Sequence, residues 1–224
     1  MFSEYKMPEL NERYDKALSS YLGDGMIWLP WVGKNYDSVA RKLLLVGESH
    51  YYDEARLAVA LDSGFTRLCI EESIFQEWWT NRTYTNAVKA VVGREFVDFK
   101  EVWRNIAFLN FIPKVMLKKG ELCERPQAND FRAGWASFVN VVRVLKPDVC
   151  VFIGVTASKF FVDEMNRLSV PFRYEVDRAV CINGIFPRRA VLNLGGHEVR
   201  LVFIKHCGSF FSWQVWHDYL RKIL

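Results

Sequence analysis

The chain has 224 residues, of which 50% are apolar, 15% aromatic and 25% charged, so it has the material for one sizeable core and is not a disordered polymer. A net charge of +4 suits a phosphate-bearing partner without requiring one. The cysteines number five and contain no CxxC pair, which argues against a disulfide framework, a zinc ribbon or an iron–sulfur cluster.

Neither a signal peptide nor a membrane span is indicated by the sequence. The first residues lack a basic segment followed by an apolar one, and no apolar run approaches the ~18 residues of a membrane span. We therefore expect a cytoplasmic protein that does not bind a membrane.

Helical spacing and short apolar runs alternate along the chain. The first 40 residues predict an amphipathic helix at 8–22, followed by an aromatic loop packed on the same domain. Continuous apolar runs, typical of strands buried on both faces, occur at 42–47, 106–109, 148–154 and 201–204. Helices are predicted at 70–80, 84–92, 97–105, 127–146, 156–168 and after Ser212. Asn183-Gly184 and Gly195-Gly196 predict hairpin turns.

Four apolar strands separated by helices predict a single α/β domain over residues 1–224. Its expected architecture is a three-layer α/β/α sandwich around a four-stranded, mainly parallel sheet. In such sheets the ligand lies beyond the carboxyl ends of the strands. The residues that follow each strand are therefore the candidates for a functional site.

Those segments carry the run Gly47-Glu48-Ser49-His50-Tyr51, then Asn110, and finally His206. In order and position they resemble the motifs of the uracil-DNA glycosylase superfamily, and the similarity extends over roughly residues 42 to 210. The sequence departs from the family pattern at three places. His50 stands where a Pro is usual, Ser49 stands where the uracil-specific branch has its water-activating aspartate, and Cys-Gly-Ser follows His206 instead of Pro-Ser.

The resemblance implies a catalytic role for His206 and for the loop of Glu48, Ser49 and His50. His206 corresponds to the donor that stabilises the leaving base, and Glu48 would orient or activate water. Taken alone, His206 is better explained as a solvated loop histidine, and its position in the motif order is what favours a function. Glu48 could equally be a carboxylate that caps a backbone donor or forms an ion pair. Ser49 and His50 are substitutes for the missing acid or simple turn residues.

The resemblance also implies a base-binding set. Asn110 carries an amide donor and an acceptor that could read the edge of an extruded pyrimidine, or it could close its own loop. Tyr51 corresponds to the wall that screens the pyrimidine 5-position. Phe65 is assigned to stacking on the base, with core packing as its alternative.

A third set is assigned to DNA contact. Lys114, Lys118 and Lys119 follow the second strand and could bind phosphates or be scattered solvated lysines. Phe210 and Phe211 could fill the gap left by a flipped nucleotide or act as a hydrophobic staple for the last helix.

These expectations describe a monomeric DNA glycosylase without metal or cofactor, acting on duplex or single-stranded DNA. Uracil is the default base, which would place the enzyme in DNA repair. A hypermodified cytosine of phage DNA is the alternative, which would make it an antiviral defence enzyme. A non-catalytic nucleic-acid-binding relative and an unrelated hydrolase of similar fold are further alternatives, although GxSxG, P-loop and GxGxxG motifs are absent.

Overall fold

A computed structural model describes residues 7–52, 57–119 and 122–224, with the side chains of Lys119 and Leu122 outside the description. Its strands are β1 (Trp31–Val32), β2 (Leu43–Gly47), β3 (His50–Tyr52), β4 (Ala107–Asn110), β5 (Val115–Lys119), β6 (Leu122–Cys123), β7 (Val149–Ile153), β8 (Phe172–Val176), β9 (Arg188–Leu194) and β10 (His197–Ile204). The α-helices are α1 (Asp15–Ser19), α2 (Leu57–Ala60), α3 (Phe65–Ile70), α4 (Arg82–Val92), α5 (Phe99–Asn105), α6 (Ala128–Leu145), α7 (Phe161–Arg167) and α8 (Trp213–Leu220). A π-helical turn spans Glu71–Phe75.

The main sheet has seven strands in the order β1-β4-β2-β7-β10-β9-β8. Its centre is a block of four parallel strands, β4, β2, β7 and β10, which are the four apolar runs of the sequence. The sheet is therefore larger than the four strands expected: β1 pairs antiparallel with β4 on one side of the block, and β9 and β8 continue it with antiparallel pairing on the other. A second, small sheet joins β3, β5 and β6.

Helices cover both faces of the central block, which explains why its strands are apolar throughout. Helices α1, α6 and α7 pack on one face, around Trp135, Phe152 and Phe203. Helices α4, α5 and α8 pack on the other, around Trp103 and Trp216. The protein is thus an α/β sandwich with a mixed sheet. None of the helices within the described ranges is long and apolar enough to cross a bilayer.

Both predicted hairpin turns are present. Asn183 and Gly184 have positive φ angles of 50° and 77°, and Gly195 and Gly196 have 65° and 88°. Positive φ at both central residues is the geometry of the tight turn that joins twisted antiparallel strands. The second turn joins β9 to β10 directly.

Other predicted elements differ in extent. The helix expected at 8–22 is reduced to a 3₁₀ turn and the five-residue α1. The helix expected at 70–80 begins earlier, at Phe65, and continues into the π-helical turn, which ends at Phe75. Ser212 occupies the N-cap position of α8, but its side chain makes no capping hydrogen bond.

Gly134, in the middle of α6, provides a test of this packing. Alanine normally stabilises a helix interior by about 1 kcal/mol relative to glycine. A Cβ at Gly134, however, would lie 2.6 Å from Phe111 Cε1 and 2.7 Å from the Phe111 carbonyl oxygen. We expect Gly134→Ala to lower the free energy of unfolding by about 1–3 kcal/mol, because α6 must move away from the sheet.

Denaturant unfolding measures this change, with Ser137→Ala in the same helix as the control. The control adds no atom and should stay within about 0.5 kcal/mol of the wild type. Stabilisation by Gly134→Ala would show that α6 does not approach Phe111 this closely.

Candidate active site

The three motifs lie at one edge of the sheet, because the strands that precede them are parallel. Gly47 at the end of β2 pairs with Asn110 at the end of β4. Ile153 at the end of β7 pairs with Ile204 at the end of β10, and His206 lies two residues beyond. Glu48, Asn110 and His206 therefore all leave the sheet at its carboxyl edge, where ligands of parallel sheets bind.

Backbone hydrogen bonds connect the loops after β2 and β4. Phe111 N donates to Gly47 O at 2.9 Å, and Ile112 N donates to Glu48 O at 2.8 Å. These bonds continue the strand pairing past the end of the sheet. The backbone that carries Glu48 is therefore fixed relative to the residues that follow β4.

The Asn110 side chain lies directly against Gly47. A Cβ at Gly47 would lie 2.1 Å from Asn110 Oδ1, so only glycine permits this contact. Asn110 is half-buried, and its amide makes no hydrogen bond with the described residues. The amide is consequently positioned by packing and retains both its donor and its acceptor for a ligand.

Glu48 extends from the end of β2 towards the end of β7. Its Oε2 lies 3.7 Å from the position that a Cβ on Gly154 would take. Gly154 has a φ of +141°, a conformation that a residue with a side chain rarely adopts. The carboxylate borders a small cavity of about 10 Å³, room for about one water molecule, whose other walls include Phe111, Phe131 and Phe152. It makes no ion pair within the described part of the chain.

A local hydrogen bond fixes the tautomer of His206. The backbone N–H of Gly208 donates to His206 Nδ1 at 3.1 Å. An Nδ1 that accepts a hydrogen bond carries no proton, so in the neutral ring the proton is on Nε2. A Cβ at Gly208 would lie only 3.0 Å from Nδ1, so glycine allows this close turn. The ring is exposed, and Nε2–H is free to donate to a ligand.

The segment after His206 is anchored at several points. Asn86 Nδ2 donates to Cys207 O at 2.8 Å, and Lys205 Nζ donates to Phe210 O at 2.9 Å. Phe211 packs parallel to Trp216, with ring centroids 6.3 Å apart and an interplanar angle of 4°. The anchors hold the loop against α4 and α8.

Phe210 and Phe211, which the sequence grouped together, have different environments. Phe210 is 92% exposed and has a φ of +56°, which is uncommon for a bulky residue. Phe211 is half-buried in the core that contains α8. Phe210 is therefore presented to solvent by a loop that Phe211 secures.

His50 and Phe65 occupy a separate buried cluster with Trp28. The His50 ring lies 4.8 Å from each of the Trp28 and Phe65 rings, and its Nε2 is 2.9 Å from Thr66 Oγ1. Burial lowers the pKa of His50 to about 3, so the ring is neutral at physiological pH. Both residues pack in the interior, and neither lines the pocket beside Glu48.

Ser49 and Tyr51 lie on either side of His50 in the chain. Ser49 Oγ is buried without a hydrogen-bond partner. Tyr51 is half-buried against the core on the α6 side of the sheet. Of the catalytic loop named from the sequence, only Glu48 is shown beside the pocket.

The three lysines assigned to DNA contact differ in their surroundings. Lys114 is exposed but forms an ion pair with Glu124 at 2.7 Å, and this hydrogen bond raises the pKa of the lysine. Lys118 is exposed in β5 and makes no ion pair with the described residues. The Lys119 side chain lies outside the described residues.

Gly154, Lys205 and Gly208 lie in the segments that follow the predicted strands, but the sequence assigned none of them a specific role in the site. A glycine two residues after a histidine is a usable signal, since such a residue can donate its N–H back to the ring. The Lys205 contact could not be foreseen, because it depends on the left-handed conformation of Phe210.

Metal-ligating side chains do not cluster in the described part of the chain. No group of three or more His, Cys, Asp and Glu side chains there is arranged to hold a metal ion.

A scan against models of protein families finds none that matches the chain, and a search of curated proteins finds no similar sequence.

Proposed function

We propose that this protein is a monofunctional DNA glycosylase that hydrolyses the N-glycosidic bond of a non-standard pyrimidine and leaves an abasic site. The observation that carries the proposal is the free Nε2–H of His206, fixed by the hydrogen bond from Gly208 N to Nδ1. It lies at the same sheet edge as the unpaired amide of Asn110 and the carboxylate of Glu48. A hydrogen-bond donor, a base reader and a carboxylate are the groups that this reaction needs.

In the proposed reaction, water attacks C1′ of the deoxyribose while the bond from C1′ to the base nitrogen breaks. The bonding electron pair leaves with the base, and its negative charge spreads onto the carbonyl oxygens of the ring. His206 Nε2–H donates to one of these oxygens and stabilises the anion. Glu48 accepts the proton that water loses, and the released base takes a proton from solvent. The sugar retains the hydroxyl group at C1′.

Asn110 would bind the base before the bond breaks. Its amide can donate to one atom of the Watson–Crick edge and accept from the next. Contact with Gly47 leaves the side chain little freedom. Binding therefore costs little side-chain entropy and places the base in register with His206.

One feature of the fold supports an assignment to the uracil-DNA glycosylase superfamily. The parallel block β4-β2-β7-β10 brings the three strand-end motifs to one edge of the sheet. Phe210 would then fill the space of the extruded nucleotide, since its ring is almost entirely in solvent. Phe211 would support the loop from the core side.

Uracil remains the default substrate in this proposal, and a 5-substituted cytosine is the alternative. Ser49 stands where the uracil-specific branch has an acid, and Tyr51 is assigned to the wall at the pyrimidine 5-position. Excision of uracil would place the protein in DNA repair. Excision of a hypermodified cytosine would place it in antiviral defence.

The activity itself is tested with a panel of DNA duplexes and single strands that each contain one modified base. The panel includes uracil and glucosylated 5-hydroxymethylcytosine, and alkaline cleavage reveals abasic sites. We expect strand cleavage with at least one of these bases and none with unmodified DNA. Tight DNA binding without cleavage on any substrate would refute the enzyme and favour a non-catalytic binder.

His206→Ala should lower the excision rate roughly 30- to 1,000-fold, because removal of one preorganised donor raises the barrier by about 2–4 kcal/mol. DNA affinity should change little, since the donor acts mainly in the transition state. Single-turnover rates and binding curves separate the two effects. The matched control is His197→Ala, because His197 lies at the opposite end of β10 with Nε2 3.0 Å from Pro147 O. Equal rates for both variants would remove His206 from the mechanism.

Lys118 and Lys114 should contribute differently to DNA binding, although both are exposed. Each phosphate contact contributes about 0.9 to the slope of log affinity against log salt concentration. Lys118→Gln should reduce that slope by about 1, whereas Lys114→Gln should leave it nearly unchanged because Lys114 binds Glu124 instead. DNA-binding titrations at salt concentrations from about 50 to about 300 mM measure both slopes. A wild-type affinity independent of salt would argue against nucleic acid as the partner.

A further inference from the structure

Strands β8 and β9 form a hairpin outside the parallel block, and its loop reaches the same edge as His206. Because β9 is antiparallel to β10, Arg188 at the start of β9 pairs with Phe203 near the end of β10. His206 follows Phe203 by three residues, about 10 Å of extended chain. The loop 177–187 therefore projects beside the His206 loop.

The loop is held by internal hydrogen bonds and by the core. Ile182 and Ile185 exchange backbone hydrogen bonds of 2.9 and 3.0 Å across the Asn183-Gly184 turn. Ile182 is 5% exposed and packs in the same core as α8. The exposed residues of the loop are consequently presented on a fixed backbone.

Charge in this region is unbalanced. The acid of the loop, Asp177, faces Arg189 at 3.9 Å and accepts a hydrogen bond from Tyr219 at 3.5 Å. Arg178 is exposed and has no ion pair within the described part of the chain. Among the described residues, the Arg188 side chain donates to the Phe186 carbonyl, at 2.9 Å, and to no carboxylate.

Lys205 adds a third such cation, because its partner is the Phe210 carbonyl rather than a carboxylate. In contrast, the cations lower on the same hairpin are neutralised. Arg173 pairs with Glu198, and Arg189 pairs with Glu175. Arg178, Arg188 and Lys205, at the end of the hairpin nearest His206, therefore have no carboxylate partner among the described residues.

We propose that the loop 177–187, together with Arg188, is a second DNA-contacting element whose Arg178 and Arg188 bind phosphodiester groups beside the extruded nucleotide. The proposal rests on the proposed function for its partner, and charge complementarity selects that partner. Guanidinium groups bind phosphate oxygens through paired N–H donors. The rigid loop would position the DNA strand through its phosphates, while His206 and Asn110 contact the extruded base.

The first test uses the full chain with the substitutions Arg178→Gln and Arg188→Gln together. The control carries Arg173→Gln and Lys222→Gln, which remove the same charge from the far part of the sheet. We expect the loop variant to bind DNA roughly 10- to 100-fold more weakly near 0.15 M salt, with a salt slope smaller by about 2. The control should remain within about 3-fold of wild type, because its cations contact no phosphate. Equal losses in the two variants would overturn the proposal.

Arg178→Glu is a second variant, since this exposed side chain makes no hydrogen bond or ion pair with the described residues whose loss could unfold the hairpin. It should weaken binding at least as much as Arg178→Gln. Unchanged affinity of a folded Arg178→Glu protein would overturn the assignment of Arg178.

Cys181 supplies an independent readout because it is exposed in this loop. In a Cys123→Ser background the other three thiols are buried, so maleimide reacts at Cys181. Duplex DNA should slow this alkylation at least several-fold, and polyglutamate of equal charge should not. Protection by polyglutamate but not by DNA would assign the loop to an acidic protein partner and overturn the proposal.

Base excision measured on the same samples separates this proposal from the proposed function. Absence of excision by the wild-type protein, with loop-dependent DNA binding intact, would reject the glycosylase and retain the DNA-contacting loop. Base excision by the wild-type protein, with DNA affinity unchanged by the loop substitutions, would retain the glycosylase and reject the DNA-contacting loop.

Discussion

Two backbone hydrogen bonds, from Phe111 N to Gly47 O and from Ile112 N to Glu48 O, carry the pairing of β2 and β4 past the end of the sheet. The parallel arrangement of the central strands makes this continuation possible, because both chains leave the sheet in the same direction. It brings Gly47 so close to Asn110 that a Cβ could not be accommodated. The backbone positions of Asn110 and Glu48 in the proposed site are thus fixed by strand pairing, and packing against Gly47 orients the Asn110 amide.

The sequence predicted this part of the fold well, because strands buried on both faces have an unmistakable composition. The runs that became β2, β4, β7 and β10 are continuously apolar, and their parallel pairing followed from the helices between them. The edge strand β1 is two residues long and contains no pattern to detect. The small sheet was missed because β3 and β6 are only three and two residues long, so neither forms an apolar run that predicts a strand.

The candidate site shows the same division between local and distant determinants. The tautomer of His206 depends on Gly208, two residues away, and is in principle readable from the sequence. His50 looked like a catalytic residue because it follows a buried strand in the first motif. Its actual environment is set by Thr66, Trp28 and Phe65, which come from remote segments and bury the ring. Burial lowers the pKa of His50 and keeps the ring neutral, and its catalytic role stays a prediction.

The loop after β10 shows how a strained residue can be maintained next to a stable core. A left-handed phenylalanine costs on the order of 1–3 kcal/mol, and the exposed ring of Phe210 recovers none of it by burial. The neighbouring contacts offset this cost: Lys205 donates to the Phe210 carbonyl, and Phe211 packs on Trp216. Since a solvated ring contributes nothing to folding, the arrangement is understandable if Phe210 is buried in a complex. Insertion into a base stack would supply that burial, and Arg178, Arg188 and Lys205, which have no carboxylate partner among the described residues, would favour the approach of the phosphate backbone.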